Sequence, residues 1–154
     1  VVGDHDIRVR GDSLVPIERF HIPGLILGAD IKPRVIKTVA SQLDLPPTLL
    51  SLIGVDSKHP MIGRDLAREP EGLPGRAMMQ YEQHYAWIEG QQVVVLRPDK
   101  SPAHGRYDPA RKHLESAPVP ADGPAMEQRA LAHALLGAWL YREQRYRLPD
   151  AKTQ

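Results

Sequence analysis

At 154 residues the chain is long enough for one ordinary domain and short for two. Its 20 Lys and Arg nearly cancel its 19 Asp and Glu, so no charge excess asks for nucleic acid or an anionic membrane surface. The absence of Cys removes disulfides, cysteine-ligated zinc and thiol nucleophiles, and no run approaches the roughly 18 apolar residues of a membrane-spanning helix.

Hydrophobic residues make up 42% of the chain, enough for a core, while 15 Pro and 12 Gly place much of it in loops. Val1 to Gly3 reads as the tail of a strand, which implies a portion cut from a longer protein. Asp6 to Arg19 is charged and carries Gly11, Asp12 and Pro16, so an irregular loop is expected. Leu25, Ile26 and Leu27 lie between Gly24 and Gly28, the pattern of a short strand buried on both faces. Ile31 to Thr38 leads into Val39, a candidate for edge pairing.

Asp44 suits a helix N-terminus, Pro46 and Pro47 its first turn, and Gly54 a left-handed C-terminal residue. Between them Leu49, Leu50, Leu52 and Ile53 supply an apolar body, expected to pack on the Leu25–Leu27 strand. Further on, Ala77, Met79 and Tyr81 alternate with polar or less apolar neighbours, and Tyr85, Trp87 and Ile88 extend the same strand. A turn at Glu89-Gly90-Gln91 then leads into Val93 to Leu96. Pro98 to Pro120 is a proline-punctuated connector with a further short strand near Arg106-Tyr107-Asp108. From about Asp122 a long helix follows, with Leu131, Leu135, Ala138, Trp139 and Arg142 recurring as one packing face.

The candidate chemistry lies at the start. Asp4 and His5 offer oxygen and nitrogen donors that divalent metals accept. Successive residues of an extended strand point to opposite faces, so the two share one ion only if the chain turns there. A surface turn with a solvated His is the plainer account of the dipeptide alone. Arg8 and Arg10 follow closely, and guanidinium forks suit phosphate oxygens; a solvated basic loop explains them more simply. His21 and His133 are expected to pack with satisfied polar tips, and His84 to join an aromatic ladder with Tyr81 and Tyr85. His59, His104 and His113 are expected in loops with no convergent metal spacing. Trp87 and Trp139 read as core or docking anchors.

Four tracts in collinear order carry a resemblance: GDHD (residues 3–6), FHIPGLIL (20–27), DLPPTLLSLIG (44–54) and MIGRDL (61–66). Together they resemble the C-terminal part of the sulfatase-like enzymes of the alkaline phosphatase superfamily. The branch most similar is that of lipoteichoic acid synthases and bacterial phosphoglycerol transferases. The match is looser over residues 67–154.

The resemblance implies an α/β architecture, the C-terminal portion of an alkaline-phosphatase-like fold with an added β-hairpin and terminal helix. Residues 1–66 would belong to the sulfatase-like part, and 67–154 would complete the same domain. It further implies that Asp4 and His5 ligate a divalent metal (manganese, magnesium or zinc) in a parent acting on anionic sulfate or phosphate esters. Arg8 and Arg10 would be the substrate-binding candidates. The parent would be membrane-anchored, with a catalytic domain outside the cytoplasm. The family's nucleophile and remaining ligands lie upstream of the Asp-His pair, so the isolated chain is expected to be soluble and inactive. Its partners would be that upstream polypeptide and, through exposed sheet edges, other copies. The rival expectation is a non-catalytic binding module that retains the tail of the fold.

Overall fold

Three consecutive valines, Val93 to Val95, are all buried. A strand achieves this only when both faces of its sheet are covered. The computed structural model, which describes residues 1–6, 10–11, 13–70 and 72–147, shows how. Five antiparallel strands run side by side in sequence order: β1 (Arg76–Tyr81), β2 (His84–Glu89), β3 (Gln92–Leu96), β4 (Ala103–Asp108) and β5 (His113–Ser116). Two α-helices, α1 (Leu45–Leu52) and α2 (Gly123–Arg142), complete a mixed α/β architecture.

One face of the sheet buries Met79, Ala86, Ile88, Val93 and Val95 with Val15 and Ile17 from the N-terminal loops. The segment expected to be an irregular loop thus supplies core residues and a 3₁₀ turn at Ile17–Phe20. The opposite face is a row of cross-strand neighbours, Met78, Trp87, Val94 and His104. Onto this row α2 lays Met126 and Ala130, both with no exposed surface.

Several expectations need correction. The apolar run from Ala77 to Ile88 is a hairpin rather than one strand: it turns at Glu82-Gln83, and Glu82 takes a positive φ of 52°. The connector holds β4 and also β5, so His104 lies on a strand, and His113 begins one, rather than in loops. No strand forms at Leu25–Leu27; Leu25 is 55% and Leu27 78% exposed. The reason is pairing: this segment touches the N-terminus through a single bridge, Val2 to Gly24, and no described strand covers its other side. No strand forms over Ile31–Val39 either.

The leucines of α1 are also not a buried face, since Leu49 and Leu52 are exposed and Leu50 half-buried; the buried residues are Pro47 and Thr48. On α2 the expected face, Leu131, Leu135 and Trp139, is 42–58% exposed. The true contact face is Met126, Ala130 and His133, offset by one residue, or about 100° around the helix. A helix crossing the large Trp87 side chain approaches closely only with small or flat side chains. The His133 ring accordingly stacks on Trp87 with centroids 4.4 Å apart.

That contact has a pH signature. The Nη1 of Arg76 donates to His133 Nε2 at 3.2 Å, which requires a neutral imidazole. Burial first, and then the Arg76 guanidinium, lower the His133 pKa from its ordinary value of 6.5. A depressed folded-state pKa means the unfolded chain binds the proton first. The stability present above 6.5 is therefore lost as pH falls toward the folded-state value. The urea midpoint is expected to drop between about pH 7.5 and 5.5, and His133→Gln to flatten that drop. An unchanged drop in the variant would place the proton uptake elsewhere.

Candidate functional site

The first residues pair only through a bridge from Val2 to Gly24, yet three backbone hydrogen bonds fix them. The Val1 nitrogen donates to the Leu25 carbonyl at 2.7 Å, Leu25 N–H donates back to the Val1 carbonyl at 2.7 Å, and Gly3 N–H donates to the Pro23 carbonyl at 3.0 Å. The chain then bends at Asp4. Because of that bend the side chains of Asp4 and His5 do not diverge: Asp4 Oδ2 lies 3.4 Å from His5 Nε2. His5 N–H donates to Asp4 Oδ1 at 2.9 Å, and the ring Nδ1–H donates to the Asp6 carbonyl at 2.7 Å.

These contacts set the protonation of both groups. The His5 amide, chiefly, lowers the Asp4 pKa. The Asp6 carbonyl and then the Asp4 charge raise that of His5. When the imidazole is neutral, Nδ1 carries the proton and Nε2 presents its lone pair beside the Asp4 oxygen. Metal-bound histidines characteristically donate their other ring N–H in this way, often to a backbone carbonyl. Two tetrahedral ligands with bonds of about 2.0–2.2 Å are roughly 3.3–3.6 Å apart, so the Asp4–His5 separation fits two positions on one ion. It supplies no more than two: among the described residues no group of three or more His, Cys, Asp or Glu converges.

Among the described residues, no hydrogen bond or ion pair links the remaining sequence candidates to this pair. Arg10 is exposed, and Arg8 lies outside the described residues. His21 is exposed, and the Arg19 guanidinium reaches Asp6 at 3.4 Å.

Beneath the pair lies a polar network that sequence reasoning missed. Asp44, read as a helix cap, is 2% exposed and makes no capping bond to α1. Its carboxylate instead accepts from the backbone N–H of Ser41 (2.9 Å) and Arg64 (2.7 Å), and from the Arg64 guanidinium (2.9 Å). Arg64 also donates to Glu69 at 3.1 Å and to the Val39 carbonyl at 2.9 Å. The Thr48 hydroxyl donates to the Asp44 carbonyl at 2.6 Å and accepts from Leu66 N–H at 2.9 Å. Gly63 allows this closeness: a Cβ there would lie 1.7 Å from the Leu43 carbonyl oxygen. The DLPPT and GRDL tracts are therefore two halves of one buried ion-pair staple. The signal available was a Gly-Arg pair, Gly63-Arg64, 20 residues after an Asp that opens an apolar segment.

Two further polar contacts tie α2 to the sheet, and among the described residues neither belongs to a group of three or more metal donors. The buried His104 meets Glu127 at 2.6 Å. Glu89 accepts from Trp87 Nε1 at 2.6 Å and takes a two-pronged ion pair from Arg129 at 2.7 and 2.8 Å, and the Arg129 hydrogen bonds lower its pKa. Among the described residues no helix is long and apolar enough to cross a membrane.

No family model matches the chain. Among solved structures it matches the crystal structure of a protein in the alkaline phosphatase superfamily from Vibrio parahaemolyticus, with 42% identity over 97% of this chain and a TM-score of 0.87. The chain spans 36% of the length of that protein. By sequence and by architecture, the chain is related to the alkaline phosphatase superfamily and corresponds to a portion of such a protein.

Proposed function

We propose that the chain contributes part of a divalent-metal site to a larger enzyme that acts on phosphate or sulfate esters, of the sulfatase or phosphoglycerol transferase type. The observation that carries this reading is the convergence of Asp4 Oδ2 and His5 Nε2 at 3.4 Å, with the imidazole held in the ligating orientation by the Asp6 carbonyl. The two donors would hold manganese, magnesium or zinc together with ligands from elsewhere in the parent. When bound, such an ion neutralises charge on the transferred phosphoryl or sulfuryl oxygens.

The chain's own residues have simpler tasks. Asp4 and His5 present two donors, and the backbone bonds to Pro23 and Leu25 hold them in place. Arg8 and Arg10 are the proposed contacts for the anionic ester. Val1 and Leu25, bonded to each other beside the pair, and Leu27 and Leu43 are exposed apolar side chains suited to docking against the rest of the parent. By resemblance, that parent is membrane-anchored with its catalytic part outside the cytoplasm.

The test is an assay of aryl phosphate and aryl sulfate hydrolysis with Mn²⁺, Mg²⁺ or Zn²⁺. The expected result is turnover by the intact parent that falls at least about 100-fold in Asp4→Ala and in His5→Ala, with none by the isolated chain; loss of a ligand's outer support alone costs 10–100-fold. Turnover by the parent that survives both changes would remove the pair from the mechanism and favour a non-catalytic binding module.

A further inference from the structure

Among the described residues, no backbone-to-backbone hydrogen bond closes the bend that brings Asp4 and His5 together. Its backbone carbonyls are instead bonded by a side chain from a distant part of the sequence. The amide nitrogen of Gln42 donates to the Gly3 carbonyl and to the Asp4 carbonyl, each at 3.1 Å. Two consecutive carbonyls held by one amide must point the same way, which an extended strand does not permit, since its carbonyls alternate. Gln42 thus selects the bent conformation over the extended one.

Gln42 is itself aimed. It is the first residue of the 3₁₀ turn Gln42–Asp44, and that turn is closed by a reciprocal pair of bonds. The Ser41 hydroxyl accepts from Leu43 N–H, and the Asp44 carboxylate accepts from Ser41 N–H. Asp44 is in turn anchored by Arg64. A continuous chain of contacts therefore runs from the buried ion pair, through the turn, to the exposed site.

We propose that Gln42 is the positioning residue of the Asp4–His5 pair and that the Ser41–Asp44–Arg64 network serves to aim it. This rests on the reading of the pair as metal donors, but its first consequence does not require a metal. With Gln42 gone, the bend should open, and the two side chains should part.

The experiment is nuclear magnetic resonance on the isotope-labelled chain, read in two arms. Without metal, amide hydrogen exchange at His5, whose N–H is bonded within the bend, is expected to speed up about three- to tenfold in Gln42→Ala, as for one lost hydrogen bond. Amides of β3 should be unchanged, which shows that the fold is intact. Gln42→Glu, which keeps the length and loses the donor, should behave like Gln42→Ala, and Gln42→Arg, which restores a donor, should return toward the parent. In the second arm Mn²⁺ is titrated, and the concentration that half-broadens the His5 ring signals should rise by a similar factor in Gln42→Ala and Gln42→Glu. Unchanged His5 exchange in Gln42→Ala, or accelerated exchange that Gln42→Arg does not restore, would overturn the positioning role. If the unsubstituted chain shows no selective Mn²⁺ broadening at His5, the metal reading fails, while the exchange arm still decides the role of Gln42.

Discussion

Arg64→Ala is expected to destabilise the chain by about 3–5 kcal/mol, the usual cost of removing one partner from a buried ion pair. Asp44 is 2% exposed, and without Arg64 it keeps only two backbone N–H donors for a full negative charge. Arg64 itself sits among Asp44, Glu69 and the Val39 carbonyl, so its removal also strands Glu69. Against a total stability of roughly 5–15 kcal/mol for a domain, that loss should bring the denaturation midpoint close to zero denaturant. Arg111→Ala, on an exposed turn with pairs to Asp108 and Glu115, should move the midpoint little. Equal midpoints for Arg64→Ala and Arg111→Ala would mean that the staple does not hold the fold.

Trp87→Ala should cost about as much, roughly 3–5 kcal/mol, the range for truncating a buried aromatic. Trp87 is 2% exposed and sits at the centre of the row that α2 covers, stacked on His133 and packed with Val94, Met126 and Ala130. Its indole N–H also leaves Glu89 one donor short when removed. Trp139→Ala and Leu135→Ala lie on the open side of α2 and should each change the midpoint by less than about 1 kcal/mol in stability. Comparable losses at Trp139 and Trp87 would show that α2 docks through the other face.

The contrast between these two tryptophans shows what was legible in the sequence. The existence of α2 and its start near Asp122 followed from Pro124 and from three- and four-residue spacing. Its orientation did not, because the largest apolar residues define one stripe and the sheet accepts another. The sheet offers Trp87, so complementarity selects Ala130 and the flat His133 ring. The β1–β2 turn escaped for a similar reason: its left-handed residue is Glu82, where Gly or Asn is the usual mark. By contrast Gly54 was legible, since the φ of 73° that ends α1 suits glycine.

The site was half legible. Asp4 and His5 stood out as donors, and the need for a bend between them followed from strand geometry; the bend is present. What imposes it, Gln42, lies 38 residues away from Asp4. No local pattern announces such a contact. Asp44 was visible only as a helix cap, because its partner Arg64 is 20 residues distant and brought close by the approach that Gly63 allows.

The most direct test of the central claim, that Asp4 and His5 form two positions of a shared metal site, is a calorimetric titration of the chain with Zn²⁺ and Mn²⁺. Four-ligand structural zinc sites gain roughly 10–16 kcal/mol. Two ligands alone are expected to gain at most about half of that, a dissociation constant in the micromolar to submillimolar range. The account predicts weak one-to-one binding that disappears in Asp4→Ala and in His5→Ala. Binding of unchanged strength in both variants, or nanomolar binding by the chain alone, would contradict it.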